Sequence, residues 1–174
     1  MEFRELVEKR RSTRKYLEAE VSREDIEEII RCAQMAPSWK NSETGRYYVA
    51  VSSEGIKAVW DCLPDFNQRS AANAALIVAT FKTGVSGYGK DSMTEEGDVW
   101  GGYDLGLQNA YLLLKAKEMG YDTLIMGLRD VEKIRAYFNI PEDEMVLPVI
   151  AIGKAGEDPA LRPRKDLSEI LKVV

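Results

Sequence analysis

The sequence predicts one layered domain of mixed helices and strands, of the α/β or α+β class. Two observations carry this. Stretches with the 3.6-residue spacing of helices alternate with short apolar runs through the whole length. No internal repeat, low-complexity tract or break in composition interrupts the 174 residues, so a single domain over 1–174 is expected. Apolar residues make up 45% and charged residues 30%, the balance of a globular chain able to bury a core without staples.

The elements follow in order. Phe3, Leu6 and Val7 have helical spacing and predict a short helix over the first ten residues or so. Ser22 suits the N-cap of a stronger helix, with Val21 and Ile26 at hydrophobic-staple positions and Asp25 as a shortened capping-box acid. Ile26, Ile29, Ile30 and Ala33 line one face, and Pro37 ends it. Tyr47–Val51 reads as a strand, Glu54–Cys62 as a helix stopped near Pro64, and Ala74–Phe81 as a buried strand. Asp98 is a candidate N-cap for the longest helix, which runs to about Met119 with Lys115 and Lys117 in its last turn and Gly120 after it. Its segment Ala110–Leu114 is apolar nearly all round, which predicts a central, buried helix. A short strand at Asp122–Met126, an amphipathic helix at Asp130–Phe138 and a strand at Leu147–Ile152 follow, with Pro148 favouring a strand's first residue or an edge. The tail from Gly153 is polar and basic and ends in a short helix signal at Leu167–Leu171.

Composition removes several chemistries. The chain has 24 basic and 29 acidic side chains, a net charge of −5, which argues against a dedicated nucleic-acid binder. Two cysteines, Cys32 and Cys62, make neither a disulfide framework nor a four-thiolate zinc site. There is no histidine, which excludes Ser-His-Asp and Cys-His catalysis and imidazole metal sites. The N-terminus lacks the apolar core of a signal peptide and no run is long enough to span a membrane, so a cytoplasmic location is expected.

What remains is chemistry for anions and flat polar ligands. Lys9, Arg10, Arg11, Arg14 and Lys15 surround Ser12 and Thr13; the run reads either as solvated cations at a helix end or as an anion site of guanidinium forks. Arg162, Arg164 and Lys165 form a second cluster stiffened by Pro163, and the two clusters could converge on one phosphate. Ala36–Ser42 reads as a helix-ending turn or as a loop offering Ser38, Trp39 and Asn41 to a ligand. Asn67 is a turn former or a donor. Residues 82–98 form a long glycine-rich stretch that suits a lid or a substrate-facing segment. Within it Gly84–Lys90 has the spacing of a phosphate-binding loop, but Asp91 stands where a hydroxyl would hold Mg²⁺, and a mobile loop is the better reading. Gly101, Gly102 and Gly106 predict close helix packing.

Together these segments resemble the nitroreductase family of FMN-dependent oxidoreductases. RRSTRKY (Arg10–Tyr16) is similar to the family's opening R-R-S-x-R-x-F motif, and APSWKNS (Ala36–Ser42) to its A-P-S-x-x-N loop. Gly101–Gly127 resembles its central helix and the strand and glycine at the flavin, and RPRK (Arg162–Lys165) its basic C-terminal element. Glu43-Thr44-Gly45 replaces the usual Gln-Pro-Trp, Met126 stands where many members have Glu, and Ser70 where some have Lys.

The resemblance implies an α+β fold with a central, mostly antiparallel sheet flanked by helices, in an intertwined homodimer with FMN at the subunit interface. It implies that Arg10, Arg11, Ser12 and Arg14 hold the FMN phosphate and the pyrimidine edge of the ring, and that Arg162 and Arg164 close on the phosphate. Pro37, Ser38, Trp39 and Asn41 would reach the flavin from the partner subunit, Asn67 would donate to the ring edge, and Met126 and Gly127 would lie beside N5. The implied activity is ping-pong hydride transfer from NADH or NADPH through N5 to a flat electron-poor acceptor such as a nitroaromatic or quinone. Flavin binding without NAD(P)H turnover, a specialised flavin reaction such as reductive dehalogenation, and a nucleoside-triphosphate site at Gly84–Lys90 are the alternatives.

Overall fold

The computed structural model describes residues 2–89, 94 and 96–174. Four strands form one sheet: β1 (Gly45–Ala50), β2 (Ala75–Lys82), β3 (Asp122–Met126) and β4 (Glu144–Gly153). Their order is β1-β2-β4-β3 and every pairing is antiparallel. The helices are α1 (Phe3–Lys9), α2 (Arg23–Ala33), α3 (Ser53–Trp60), α4 (Asp65–Ser70), α5 (Val99–Glu118), α6 (Val131–Phe138) and α7 (Leu167–Ile170), with a 3-10 turn at Trp39–Asn41.

Alternation along the strands divides the core between two faces. Leu76, Val78, Leu124, Met126, Val149 and Ala151 pack with Val59 of α3 and Ile134 of α6. Ala75, Ile77, Ile150 and Ile152 face Ile26, Ile29 and Ala33 of α2 and Leu112 and Ala116 of α5. The sheet is thus covered on both sides, which is why β2 reads as one continuous apolar run.

The local signals hold where a named hydrogen bond enforces them. Ser22 Oγ accepts from the Asp25 N–H, Ser52 Oγ from Gly55 and Asp130 from Lys133. α7 carries a full capping box between Asp166 and Glu169. Asp98 does precede α5, but its Oδ1 accepts from the Gly84 N–H instead of capping the helix.

Three expectations are corrected and one element is added. Pro148 lies inside β4, a central strand, and not at a strand start or an edge. Its missing N–H is tolerated because the register shifts there: Val78 opposes Val149 while Thr80 opposes Val146, so a bulge takes up Leu147 and Pro148. On the other side β3 has already ended, at Met126 opposite Val149. α4 is an additional helix, six residues starting after Pro64, too short and polar to show periodicity in sequence. α5 is not buried all round: Tyr103 is 58% exposed and Tyr111 40%, so one side of the helix carries apolar residues with nothing over them in the single chain. The glycines of α5 differ from one another. A Cβ on Gly101 would lie 2.3 Å from the Phe81 ring, so that glycine marks close packing on β2, whereas Gly106 faces open space.

Candidate functional site

The N-terminal arginines are placed by backbone pairing. After α1 the chain runs along the free edge of β3, with Ser12 bridged in parallel to Thr123. The Thr13 N–H donates to the Thr123 carbonyl at 3.1 Å. Further on, Tyr16 bridges Ala155, and Arg14 N–H donates to Glu157 Oε1 at 2.6 Å. These bonds tie the N-terminal segment to the start of the C-terminal tail.

The two basic clusters meet as a result. A cavity of about 660 Å³ is lined by Arg10, Arg11, Ser12 and Arg14 on one side and by residues 159–164, including Arg162 and Arg164, on the other. Among the described residues, five arginines and no carboxylate line it. Arg11, Arg14 and Arg164 each spend one N–H on a neighbouring carbonyl, of Arg10, Ser12 and Arg162 respectively, which orients the guanidinium groups. Burial lowers the pKa of Arg10, and Arg11 and Arg164 push in the same direction. The guanidinium groups outnumber the nearby acids, Glu157 on the Arg14 N–H and Asp122 near Arg10, and such an excess of cations suits an anion.

The same sheet edge carries the next group. Gly127 and Leu128 follow β3, and Asn67, buried on α4, donates from Nδ2 to the Leu128 carbonyl at 3.3 Å. Asn67 is therefore neither a turn residue nor, in this arrangement, aimed wholly at a ligand. Met126 is 2% exposed with its side chain in the core, so only its backbone faces the edge. Arg129 was not legible as a site residue. It donates to the Gly127 carbonyl and, across the strand end, to the Val146 carbonyl, and so clamps the backbone that leaves β3.

Pro37, Ser38, Trp39 and Asn41 are not brought to this cleft. They lead into β1, at the opposite edge of the sheet. Gly45 opposes Phe81 at one end of β2, whereas Thr123 aligns through Ile152 with Ala75 at the other end. With strands about 4.8 Å apart and a rise of about 3.3 Å per residue, the two corners lie roughly 24 Å apart on the sheet diagonal.

The Trp39 turn is unusual in its backbone. Lys40, Asn41 and Glu43 all have positive φ, at 46°, 56° and 49°. Such residues cost on the order of 1–3 kcal/mol each unless surrounding bonds over-determine them. Here Ser38 Oγ accepts from the Glu43 N–H, Asn41 Nδ2 donates to Glu43 Oε1, and the Trp39 N–H donates to Asp104 Oδ2 at 3.0 Å. The Trp39 ring packs on Trp100 of α5 with centroids 5.0 Å apart, and Trp100 meets Tyr103 edge-on. Asp104, a lone acid in an apolar stretch of helix, was also missed from sequence.

The phosphate-loop reading of Gly84–Lys90 is not supported. Ser86 is buried and its hydroxyl donates to Asp104, so this segment turns inward, and the next helix begins only at Val99. Residues 90–93 and 95, part of the 82–98 stretch, lie outside the described residues. Among the described residues no cluster of acids and cysteines could hold a metal ion, and no helix is long and apolar enough to cross a membrane.

The arginine cleft, the glycine after the edge strand and the central helix thus stand in the order the motifs predict. The model of the nitroreductase family matches residues 7–84 and 64–154. The chain belongs to the nitroreductase family. Nitroreductase relatives match along most of its length. It is 29% identical to a candidate NADH dehydrogenase/NAD(P)H nitroreductase of Methanothermobacter thermautotrophicus, over 98% of this chain and 86% of that protein. It is 27% identical to YdgI of Bacillus subtilis, named as a candidate NAD(P)H nitroreductase, over 90% of each. Among solved structures, a candidate nitroreductase of Exiguobacterium sibiricum in complex with FMN superposes with a TM-score of 0.89 at 22% identity, over 100% of this chain and 98% of that one. A candidate NAD(P)H:FMN oxidoreductase of Staphylococcus epidermidis gives 0.88 at 23% identity, over 99% and 96%. At this identity the structures establish the fold, which is the α+β nitroreductase fold expected from the motifs.

Proposed function

We propose that the protein binds FMN in the arginine cleft and works as an NAD(P)H-dependent oxidoreductase on flat, electron-poor acceptors such as nitroaromatics and quinones. The observation that carries this is the convergence of five arginines, with no acid lining the cleft among the described residues, beside the edge of the sheet that leads to Gly127. A phosphate monoester fits the excess charge.

FMN, when bound, supplies the N5 atom that takes a hydride from NADH or NADPH and gives it to the acceptor in a ping-pong cycle. The chain's own residues bind and orient. Arg10, Arg11 and Ser12 with Arg162 and Arg164 would hold the phosphate. Arg14 or Arg10 places positive charge at the pyrimidine edge of the ring, where negative charge grows on reduction. Arg129 and Asn67 fix the backbone of Gly127 and Leu128, the stretch that would lie beside the ring. No protein nucleophile or general base is assigned, in keeping with a chain that has no histidine.

Pro37, Ser38, Trp39 and Asn41 act from a second copy of the chain. Their distance from the cleft within one chain, and the uncovered apolar side of α5, favour a homodimer in which each site takes its second wall from the partner. A cytoplasmic location is part of the same reading.

The test is the visible spectrum of the purified protein before and after anaerobic addition of NADH or NADPH. An oxidised-flavin spectrum that bleaches is the expected result. A yellow protein that stays yellow would favour flavin binding without this donor, and a colourless protein that does not take up added FMN would overturn the proposal.

A further inference from the structure

We infer that Asp104 is a positioning residue that joins the Trp39 turn and the glycine-rich segment around Ser86 into one unit, so that a change at either is felt at the other. Asp104 is 2% exposed, on the second turn of α5. One oxygen, Oδ2, takes both bonds: from the Trp39 N–H at 3.0 Å and from the Ser86 hydroxyl at 2.7 Å. Ser86 Oγ in turn lies 2.8 Å from Ser42 Oγ, at the far end of the same strained turn, and 3.4 Å from Thr44 Oγ1. Three segments distant in sequence therefore share one buried hydrogen-bonded knot.

The geometry gives the knot a purpose that stability alone does not require. It sits under the turn in which Lys40, Asn41 and Glu43 are held at positive φ, directly after Trp39, whose ring packs on Trp100. Trp39 also leans on Trp100, and Gly87, next to Ser86, approaches Trp100 so closely that a Cβ there would lie 2.9 Å from the ring. The glycine-rich segment and the Trp39 turn thus touch at two points, one polar and one aromatic. Neighbouring groups of this kind respond to change as a unit. The kinetic consequence rests on the proposed placement of Trp39 at the partner's flavin: the unit would set the acceptor side of the site and leave the phosphate side untouched.

The experiment is amide hydrogen exchange on the full-length protein without FMN, in Ser86→Ala, Asp104→Asn and Asp104→Ala. In Ser86→Ala the Trp39 amide keeps its own partner, Asp104, yet its exchange is expected to speed by about tenfold, while amides of β2 and β4 stay as in the wild type. Asp104→Asn keeps an acceptor oxygen and should lie near the wild type; Asp104→Ala should free both segments. If Ser86→Ala speeds only the amide of Tyr88, which donates to the Val85 carbonyl, and leaves Trp39 unchanged, the coupling is absent and the inference fails. Loss of protection across β2 and β4 in Asp104→Asn would reduce Asp104 to a general stability role and also overturn it. With FMN bound, Ser86→Ala should raise KM for a quinone by about tenfold and leave the rate of flavin bleaching by NAD(P)H unchanged. Equal effects on both half-reactions would count against positioning. A protein that binds no FMN would sink the proposed function but leave the exchange result standing.

Discussion

The Thr13 N–H donates to the Thr123 carbonyl at 3.1 Å, and this bond lays the N-terminal arginines along the free edge of β3. Thr13 is fully buried, so the contact is a fixed part of the sheet's border. It brings Arg10 to Arg14 opposite Arg162 and Arg164, about 150 residues away in sequence, and makes one cationic cleft from two segments that are each unremarkable cationic runs alone.

That pairing leads to a prediction about phosphate. Arg164→Ala removes one guanidinium from the exposed tail without touching the core. The expected result is a weakening of FMN binding by about 10- to 100-fold, the worth of a charge-assisted bond. Riboflavin, which lacks the phosphate, should bind wild type and variant within about twofold. Flavin-fluorescence titration decides: equal losses for both ligands would place Arg164 away from the phosphate.

A second prediction concerns the assembly. Val99, Tyr103 and Tyr111 are exposed along α5, and Gly106 on the same side faces open space. If a second chain packs there, Gly106→Arg inserts a bulky charge into the interface. Light scattering should then give one chain mass, 19.6 kDa, for the variant and twice that for the wild type. FMN should be lost together with the dimer if, as proposed, Trp39 and Asn41 reach the flavin from the partner. A variant that remains dimeric and yellow would refute this interface.

Gly101 is predicted to be intolerant of substitution for a different reason. A Cβ there meets the ring of Phe81, which is 1% exposed and has nowhere to move. Gly101→Ala gains helix propensity of about 1 kcal/mol but forces the packing of α5 on β2 apart. A net loss of about 1–2 kcal/mol is expected, a fall in Tm of about 2–8 °C by calorimetry. An unchanged or higher Tm would mean that the helix shifts at little cost.

Stability should depend on pH through Tyr121 and Asp25. The Tyr121 hydroxyl donates to Asp25 Oδ2 at 2.6 Å. That bond first, and the Ser22 bond next, hold the Asp25 carboxyl below its usual pKa. Burial first, and the bond to Asp25 next, push the Tyr121 phenol up to about 12. A depressed carboxyl stabilises the fold above its unfolded pKa of about 4 and loses that contribution as pH falls through the folded value. A raised phenol stabilises it below about pH 10 and loses that contribution as pH rises toward 12. Tyr121→Phe should therefore cost most between about pH 5 and 9 and least at both extremes. Urea midpoints across the pH range will show it; a constant difference would mean that the bond plays no part.

The sequence by itself determined most of the elements, though not α4, together with the two arginine clusters and the order of the motifs. These are local properties. Period, capping residues and proline positions act within one or two turns of chain, so Ser22, Asp130 and the apolar run of β2 could be read directly. The tertiary structure decided what meets what. Pro148 sits inside a central strand because a bulge against β2 and the end of β3 remove the partners its missing N–H would need. The Trp39 turn and the arginine cleft fall at opposite corners because strand order is set by pairings between distant segments, which no local pattern encodes. The all-round apolar pattern of α5 proved to describe one side packed on the sheet and one side still uncovered. Hydrophobicity records that a surface avoids water; it does not record whether its own chain or another one covers it.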